Sequence, residues 1–128
     1  MAIEAIVTDK APAALGPYSA GAVATGTKAI HVSGQLGVVP STGEFAGDDA
    51  VSQARQSLTN VRSILEAAGA TMADVAEVTV LLDDIADFGA VNEVYAEFFE
   101  EPYPSRAAFE VAALPKGGKV EIKAVAYL

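Results

Sequence analysis

Apolar and polar residues alternate weakly over residues 3–7 (Ile-Glu-Ala-Ile-Val), the two-residue period of a strand. Residues 10–18 read as a loop, because Pro12 and Pro17 remove backbone donors and Gly16 loosens the chain. Two extended stretches, 20–26 and 29–35, flank Gly26-Thr27-Lys28 and are expected to form a hairpin. A loop over 37–47, with Pro40 and Gly43, precedes the clearest pattern in the chain. Val51, Ala54, Leu58, Val61, Leu65 and Ala68 recur at steps of three and four, so they line one face of a helix. Asp48 or Asp49 stands where a cap is needed, and Gly69 where a left-handed residue would end the helix.

Residues 75–82 (Val-Ala-Glu-Val-Thr-Val-Leu-Leu) are rich in β-branched side chains and predict a buried strand. Asp83, Asp84 and Asp87 offer caps for a second helix, in which Phe88, Val91, Tyr95 and Phe98 repeat at helical spacing to about Phe99. Pro102 and Pro104 forbid its continuation. Two last strands, Ser105–Ala113 and Lys119–Tyr127, are joined by Leu-Pro-Lys-Gly-Gly. Arg106, Ala108, Glu110 and Ala112 share one face of the first strand. In the second, Val120, Ile122, Ala124 and Ala126 form an apolar face opposite Lys119, Glu121, Lys123, Val125 and Tyr127. This order predicts one α+β domain over residues 1–128, a mixed sheet of about six strands with two helices packed on one side. The uncovered side mixes charge with Val125 and Tyr127, and both burial in an oligomer and plain solvation fit it.

Composition narrows the function. A chain of 128 residues can bury a core without staples. Eight basic and seventeen acidic residues give a net charge of −9, which argues against a nucleic-acid binder that must displace counterions. With no Cys there is no disulfide, thiolate metal site or cysteine nucleophile, and one His excludes a His-rich metal site. Walker, GxGxxG, HExxH and CxxC motifs are absent, so nothing asks for a metal, a nucleotide or pyridoxal phosphate. No apolar run reaches membrane-spanning length, and the first twenty residues lack the pattern of a signal peptide. A cytoplasmic protein is expected.

Arg106 is the first candidate for chemistry. No Lys or Arg lies between Arg62 and Arg106, while Asp74–Glu101 holds nine acids. A guanidinium grips a carboxylate with two parallel hydrogen bonds, although an ordinary salt bridge to one of those acids fits as well. Glu121 sits mid-strand, where a partly buried carboxylate can act as general acid or base; a cross-strand pair with Lys119 or Lys123 is the plainer account. Asn92 borders the apolar stripe of the second helix and can donate and accept, or simply edge the helix. Tyr18 follows Gly-Pro in a loop, able to reach a ligand or to pack the loop. Ser33-Gly34 ends a strand without a base to mark Ser33 as a nucleophile, and His31 reads as an ordinary strand residue.

These segments together resemble the YjgF/RidA family. The run from Pro104 to Leu114 (Pro-Ser-Arg-Ala-Ala-Phe-Glu-Val-Ala-Ala-Leu), followed by Val120-Glu121-Ile122, is similar to its C-terminal signature. Residues 11–18 (Ala-Pro-Ala-Ala-Leu-Gly-Pro-Tyr), Ser33-Gly34-Gln35, residues 53–61, and Asp87-Phe88 through Asn92 and Tyr95 match further segments in order. The resemblance implies a chorismate-mutase-like α+β protomer and a homotrimer with clefts between subunits. It also implies hydrolysis of 2-iminopropanoate and 2-iminobutanoate, formed from 2-aminoacrylate and 2-aminocrotonate, to 2-oxo acids and ammonia. By position, Arg106 would bind the substrate carboxylate and Glu121 would hold the attacking water. Tyr18, Ser33, Gly34 and Asn92 would line the pocket, with Ala108 where many members carry Cys. The short segment Glu100–Tyr103 is a second departure, at the expected cleft rim.

The inventory suits that chemistry. An imine carbon conjugated to a carboxylate is already electrophilic, so it needs an anion anchor, a placed water and a proton donor, and no cofactor. Two other readings share the resemblance: a ribonuclease or translation inhibitor, and a trimer that binds small metabolites without turnover. If the last two strands form a simple hairpin, Glu121 faces Val111, about 17 Å along the strand from Arg106 at ~3.3 Å per residue. A neighbouring subunit, a bulge or another strand pairing would have to close that gap.

Overall fold

The helix expected from the three-and-four spacing forms over Ala50–Ala67 (α1), in a computed structural model that describes residues 3–128. Ala50, Ala54, Leu58, Val61 and Leu65 are buried, whereas Ala68 lies past the last turn and is exposed. Asp49 is the cap: its carboxylate accepts the Ser52 N–H at 2.8 Å, and that bonding holds its pKa below the usual carboxylate value. Gly69 takes φ +85°, a backbone that glycine adopts without strain.

The strands are β1 (Ile3–Ala5), β2 (Ala22–Ala24), β3 (Ala29–Leu36), β4 (Val75–Leu82), β5 (Ser105–Glu110) and β6 (Val120–Tyr127). The second helix, α2, runs Phe88–Ala96 and stops a turn short of Phe99. Four strands make a sheet in the order β3-β6-β4-β5, mixed because β4 and β5 run parallel. β1 and β2 pair with each other, and a bridge between Ser19 and Ser105 ties that end of the chain to the β5 edge. Val78, Val80 and Leu82 of β4 and Val120, Ile122, Ala124 and Ala126 of β6 meet Leu58, Val61, Leu65, Val91, Val94 and Tyr95 in one buried cluster. Both helices therefore cover the same face. Each fully buried leucine contributes roughly 1.5–3 kcal/mol.

The hairpin expected around Gly26-Thr27-Lys28 does not form, and neither does the simple hairpin considered for the last two strands. β2 turns away to pair with β1, while β3 takes β6 as its partner. The reason lies at Gly26-Thr27-Lys28: Thr27 and Lys28 donate their N–H groups to the Leu128 carbonyl at 2.8 and 2.9 Å. A Cβ on Gly26 would stand 2.7 Å from that oxygen, so the missing side chain lets the C-terminus approach. The last two strands are also not neighbours, because β4 lies between them. β4 is the strand best suited to the centre, with five of its eight residues buried. The connection between β5 and β6 runs over residues 111–119 and carries left-handed residues Lys116 (φ 59°) and Gly117 (φ 70°), a span wide enough to step over one strand. Glu121 consequently faces Leu81, not Val111. No helix among the described residues is long and apolar enough to cross a membrane.

Candidate active site

Arg106 is the second residue of β5, opposite Val78 on β4, and this register turns it toward the helices together with Ala108 opposite Val80. There α2 presents Phe88, Asn92 and Tyr95, spaced four and three apart on one helical stripe. The guanidinium donates from Nη1 to Asn92 Oδ1 at 2.6 Å. Its carbon lies 4.7 Å from the Tyr95 ring centre, 5.1 Å from that of Tyr18 and 5.5 Å from that of Phe88. Three aromatic faces thus surround the cation, each at cation–π distance. Tyr18 is brought there by its loop: its N–H bonds to Gly16, and the next residue, Ser19, donates its N–H to Pro104 and its hydroxyl to Tyr103.

The acid-rich stretch does not neutralise this arginine. Among the described residues two ion pairs form, Arg55 with Glu97 at 2.9 Å and Lys119 with Asp83 at 3.8 Å. Arg106 is half-buried with one neutral oxygen as its polar partner, and burial lowers its pKa from the ordinary value. It nevertheless stays cationic in the physiological range. A half-buried cation without an acidic partner among the described residues, carrying a planar set of donors, is chemically able to receive an anion, best a carboxylate. Beneath it, the Tyr95 hydroxyl is buried without a hydrogen-bond partner, and burial pushes that phenol's pKa upward.

Glu121, Ser33 and Gly34 form a second group elsewhere. Between Val32, opposite Ala124, and Gln35, opposite Ile122, β3 holds one residue more than β6. The bulge therefore falls at Ser33-Gly34, the device by which strands re-aim their side chains. A Cβ on Gly34 would lie 2.4 Å from Glu121 Oε2, so the carboxylate rests against bare backbone. Glu121 is half-buried and belongs to neither ion pair; the lysine beside it, Lys119, reaches Asp83 instead. Gly34 and Glu121 line a hollow of about 560 Å³ whose walls include Leu36, Val38, Asn60 and Ile64. Tyr18 lines a different hollow, of about 600 Å³, against Pro12 and Tyr103. Arg106 lines neither.

The chain thus brings together Tyr18, Asn92, Arg106 and Ala108, and separately Ser33, Gly34 and Glu121. Glu121 shares its register row with Leu81 and Phe109, three rows from Arg106 and two strands away. With strands ~4.8 Å apart and residues ~3.3 Å apart, the two backbones are about 14 Å distant, and their side chains leave opposite faces. Sequence reasoning placed Phe88 and Tyr95 on the apolar stripe of the second helix and missed them as walls around the arginine. Their shared stripe with Asn92 was the available signal. It also passed over Gln53 and Ser57, two polar residues buried on the inner face of α1.

Fold and site define a small α+β protein with a caged arginine on one sheet face and a carboxylate on the other, neither of them ion-paired among the described residues. The chain belongs to the YjgF/RidA family, whose model, described as Endoribonuclease L-PSP, matches residues 8–128. It is 52% identical over 121 residues, 94% of this chain and 87% of the relative, to a goat (Capra hircus) protein named 2-iminobutanoate/2-iminopropanoate deaminase. Among solved structures it is similar to RidA from the Antarctic bacterium Psychrobacter, with TM-score 0.77, 47% identity and coverage of 98% and 99% of the two chains. It is also similar to E. coli TdcF with bound serine, with TM-score 0.75, 44% identity and 98% of each chain covered.

Proposed function

We propose that this chain is an imine deaminase acting on 2-iminobutanoate and 2-iminopropanoate, the substrates in its relatives' names, and that it converts them to the 2-oxo acids and ammonia. Arg106 grips the substrate carboxylate with its unused donors, while Asn92 and the three rings hold the fork in place. Glu121 takes a proton from water as the oxygen adds to the imine carbon and returns it to the nitrogen, giving a carbinolamine. Glu121 then carries the hydroxyl proton to the amine, so that the C–N bond breaks, the C=O bond forms and ammonia leaves with the carboxylate regenerated. Tyr18, Ser33, Gly34 and Ala108 shape the space around the reacting carbon.

The observation that carries this is a half-buried guanidinium with no acid of its own among the described residues. Because Arg106 and Glu121 leave opposite faces, one small acid cannot reach both within a protomer. The active unit is then an assembly in which Arg106 of one protomer meets Glu121 of its neighbour at each cleft, and the family resemblance implies that this assembly is a homotrimer. Closed rings join unlike patches, which suits two half-sites on two faces. The reaction belongs in the cytoplasm, beside the dehydratases that release such imines.

The test is a coupled assay: a pyridoxal-phosphate dehydratase generates 2-aminoacrylate, and imine decay is followed with and without this protein. Faster decay, lost in Arg106→Ala, is the expected result. Equal rates with and without the protein would refute the assignment.

A further inference from the structure

The inner face of α1 carries polar side chains where the hydrophobic stripe would have continued. Gln53, Ser57 and Asn60 follow at steps of four and three, and Gln53 and Ser57 are buried. Each is spent on backbone in or next to the strands that carry Glu121 and Gly34. Ser57 donates its hydroxyl to the Gln35 carbonyl at 2.6 Å, one residue past Gly34. Asn60 donates to the Leu36 and Val38 carbonyls at 3.3 and 2.9 Å, and Gln56 donates to its Oδ1 at 2.8 Å, fixing which way the amide faces. Gln53 accepts the Lys119 N–H at 2.7 Å, two residues before Glu121, and donates to Gly47 at 2.9 Å. At Gly37 the chain runs against the helix itself: a Cβ there would lie 2.4 Å from the Gln53 carbonyl oxygen.

A core face costs nothing in hydrogen bonding when it is apolar, whereas each buried polar group must find a partner. Here the partners converge on one place. Residues 35 and 36 of β3, residue 38 just beyond it and residue 119 just before β6 are all held by the same helix. They adjoin the bulge at Ser33-Gly34 on its C-terminal side and approach the carboxylate resting on it from the start of β6. We propose that Gln53, Ser57 and Asn60 are positioning residues that set the location of the Glu121 carboxylate relative to the Gly34 backbone, and so the line along which water meets the imine. This rests on the deaminase assignment above. Their effect falls on the turnover step and leaves the Arg106 anchor, on the other face, unaltered.

Ser57→Ala removes one hydroxyl from a packed site, and Ser57→Thr restores the donor. Asn60→Ala, at a half-buried position, provides a second variant should the first fold poorly. Thr59→Ala is the control, since its hydroxyl bonds only to Arg55 O in its own helix. Ser57→Ala and Asn60→Ala are expected to lower kcat roughly tenfold with KM within about twofold, because small misplacements of a reacting group are costly. Ser57→Thr should recover kcat, and Thr59→Ala should match the parent. In parallel, carbon-13 NMR of the Glu121 carboxyl, assigned with Glu121→Gln, should show a moved or broadened resonance in Ser57→Ala. A parent-like kcat in both alanine variants, even with lowered melting temperatures, overturns the proposal, and so does an unmoved carboxyl resonance. If the parent protein accelerates no imine, the deaminase assignment fails, and the NMR comparison still decides whether α1 places the carboxylate.

Discussion

Arg106 and Glu121 leave opposite faces of one sheet, three register rows and two strands apart. Arg106 turns toward α2, where Asn92 and three rings receive it, and Glu121 lies against the bulge of β3. If both residues serve the proposed reaction, two different protomers supply them. Equal mixtures of Arg106→Ala and Glu121→Ala chains, unfolded and refolded together, should regain about a quarter of the parent's activity, because random assembly pairs an intact arginine with an intact glutamate at one cleft in four. Refolding each variant alone should regain none. Absence of rescue in mixtures shown by mass spectrometry to exchange subunits would contradict a shared site.

Arg106→Ala should lower kcat/KM at least about 100-fold, since two charge-assisted hydrogen bonds to a carboxylate are lost. Arg106→Lys should recover little of it. A lysine has no planar fork to span both carboxylate oxygens, and its ammonium cannot lie flat between Tyr95 and Tyr18. Steady-state rates on enzymatically generated imine measure both variants.

Gly34→Ala and Gly37→Ala separate function from folding. A Cβ at position 34 meets the end of a side chain, Glu121 Oε2, which can move aside. A Cβ at position 37 meets the backbone of Gln53, which cannot. Gly34→Ala should therefore fold and lose roughly 100-fold in kcat, whereas Gly37→Ala should fail to give a soluble folded protein. Circular dichroism beside the imine assay distinguishes them.

Tyr95→Phe keeps the ring under Arg106 and removes a buried hydroxyl that has no partner. Stability in urea should rise by about 1 kcal/mol, the low end of the cost of an unsatisfied buried polar group. A decrease would mean that the hydroxyl finds a partner in the assembled protein.

Asp49 gives a stability term with a defined sign. Its folded pKa is depressed below 3.8 by the Ser52 hydrogen bonds. The unfolded chain therefore binds this proton first as pH falls, so the cap's contribution is complete above that value and fades as pH drops through the lowered one. The melting temperature of Asp49→Ala should lie below the parent's at neutral pH, and the two should converge toward pH 2. A constant gap across the titration would show that the cap is not electrostatic.

Much of the local architecture was legible in the chain. The three-and-four stripe from Val51 to Leu65 gave α1, the β-branched run 75–82 gave the central strand, and Gly69 gave the helix stop. These are nearest-neighbour properties: a period, a propensity, a permitted φ. The residues worth testing were legible too, because Arg106 stands alone in an acidic stretch and Glu121 interrupts an apolar strand. What surrounds Arg106 was less so. Tyr95 and Phe88 obey the same spacing whether they fill a core or flank a cation, and the sequence does not say what faces a stripe.

Strand partnership depended on the folded chain. The two hairpins looked natural because their strands are adjacent in sequence, yet β4 separates one pair, and the strands of the other, β2 and β3, lie in different sheets. Pairing is settled by competition for the buried centre of the sheet, a contest among segments far apart in the chain. The amino-acid order by itself determined which elements form and which side chains are chemically able to bind an anion or move a proton. Tertiary structure alone decided that the cation and the carboxylate occupy opposite faces, since a face is assigned by register and register is fixed only when every strand has found its neighbour.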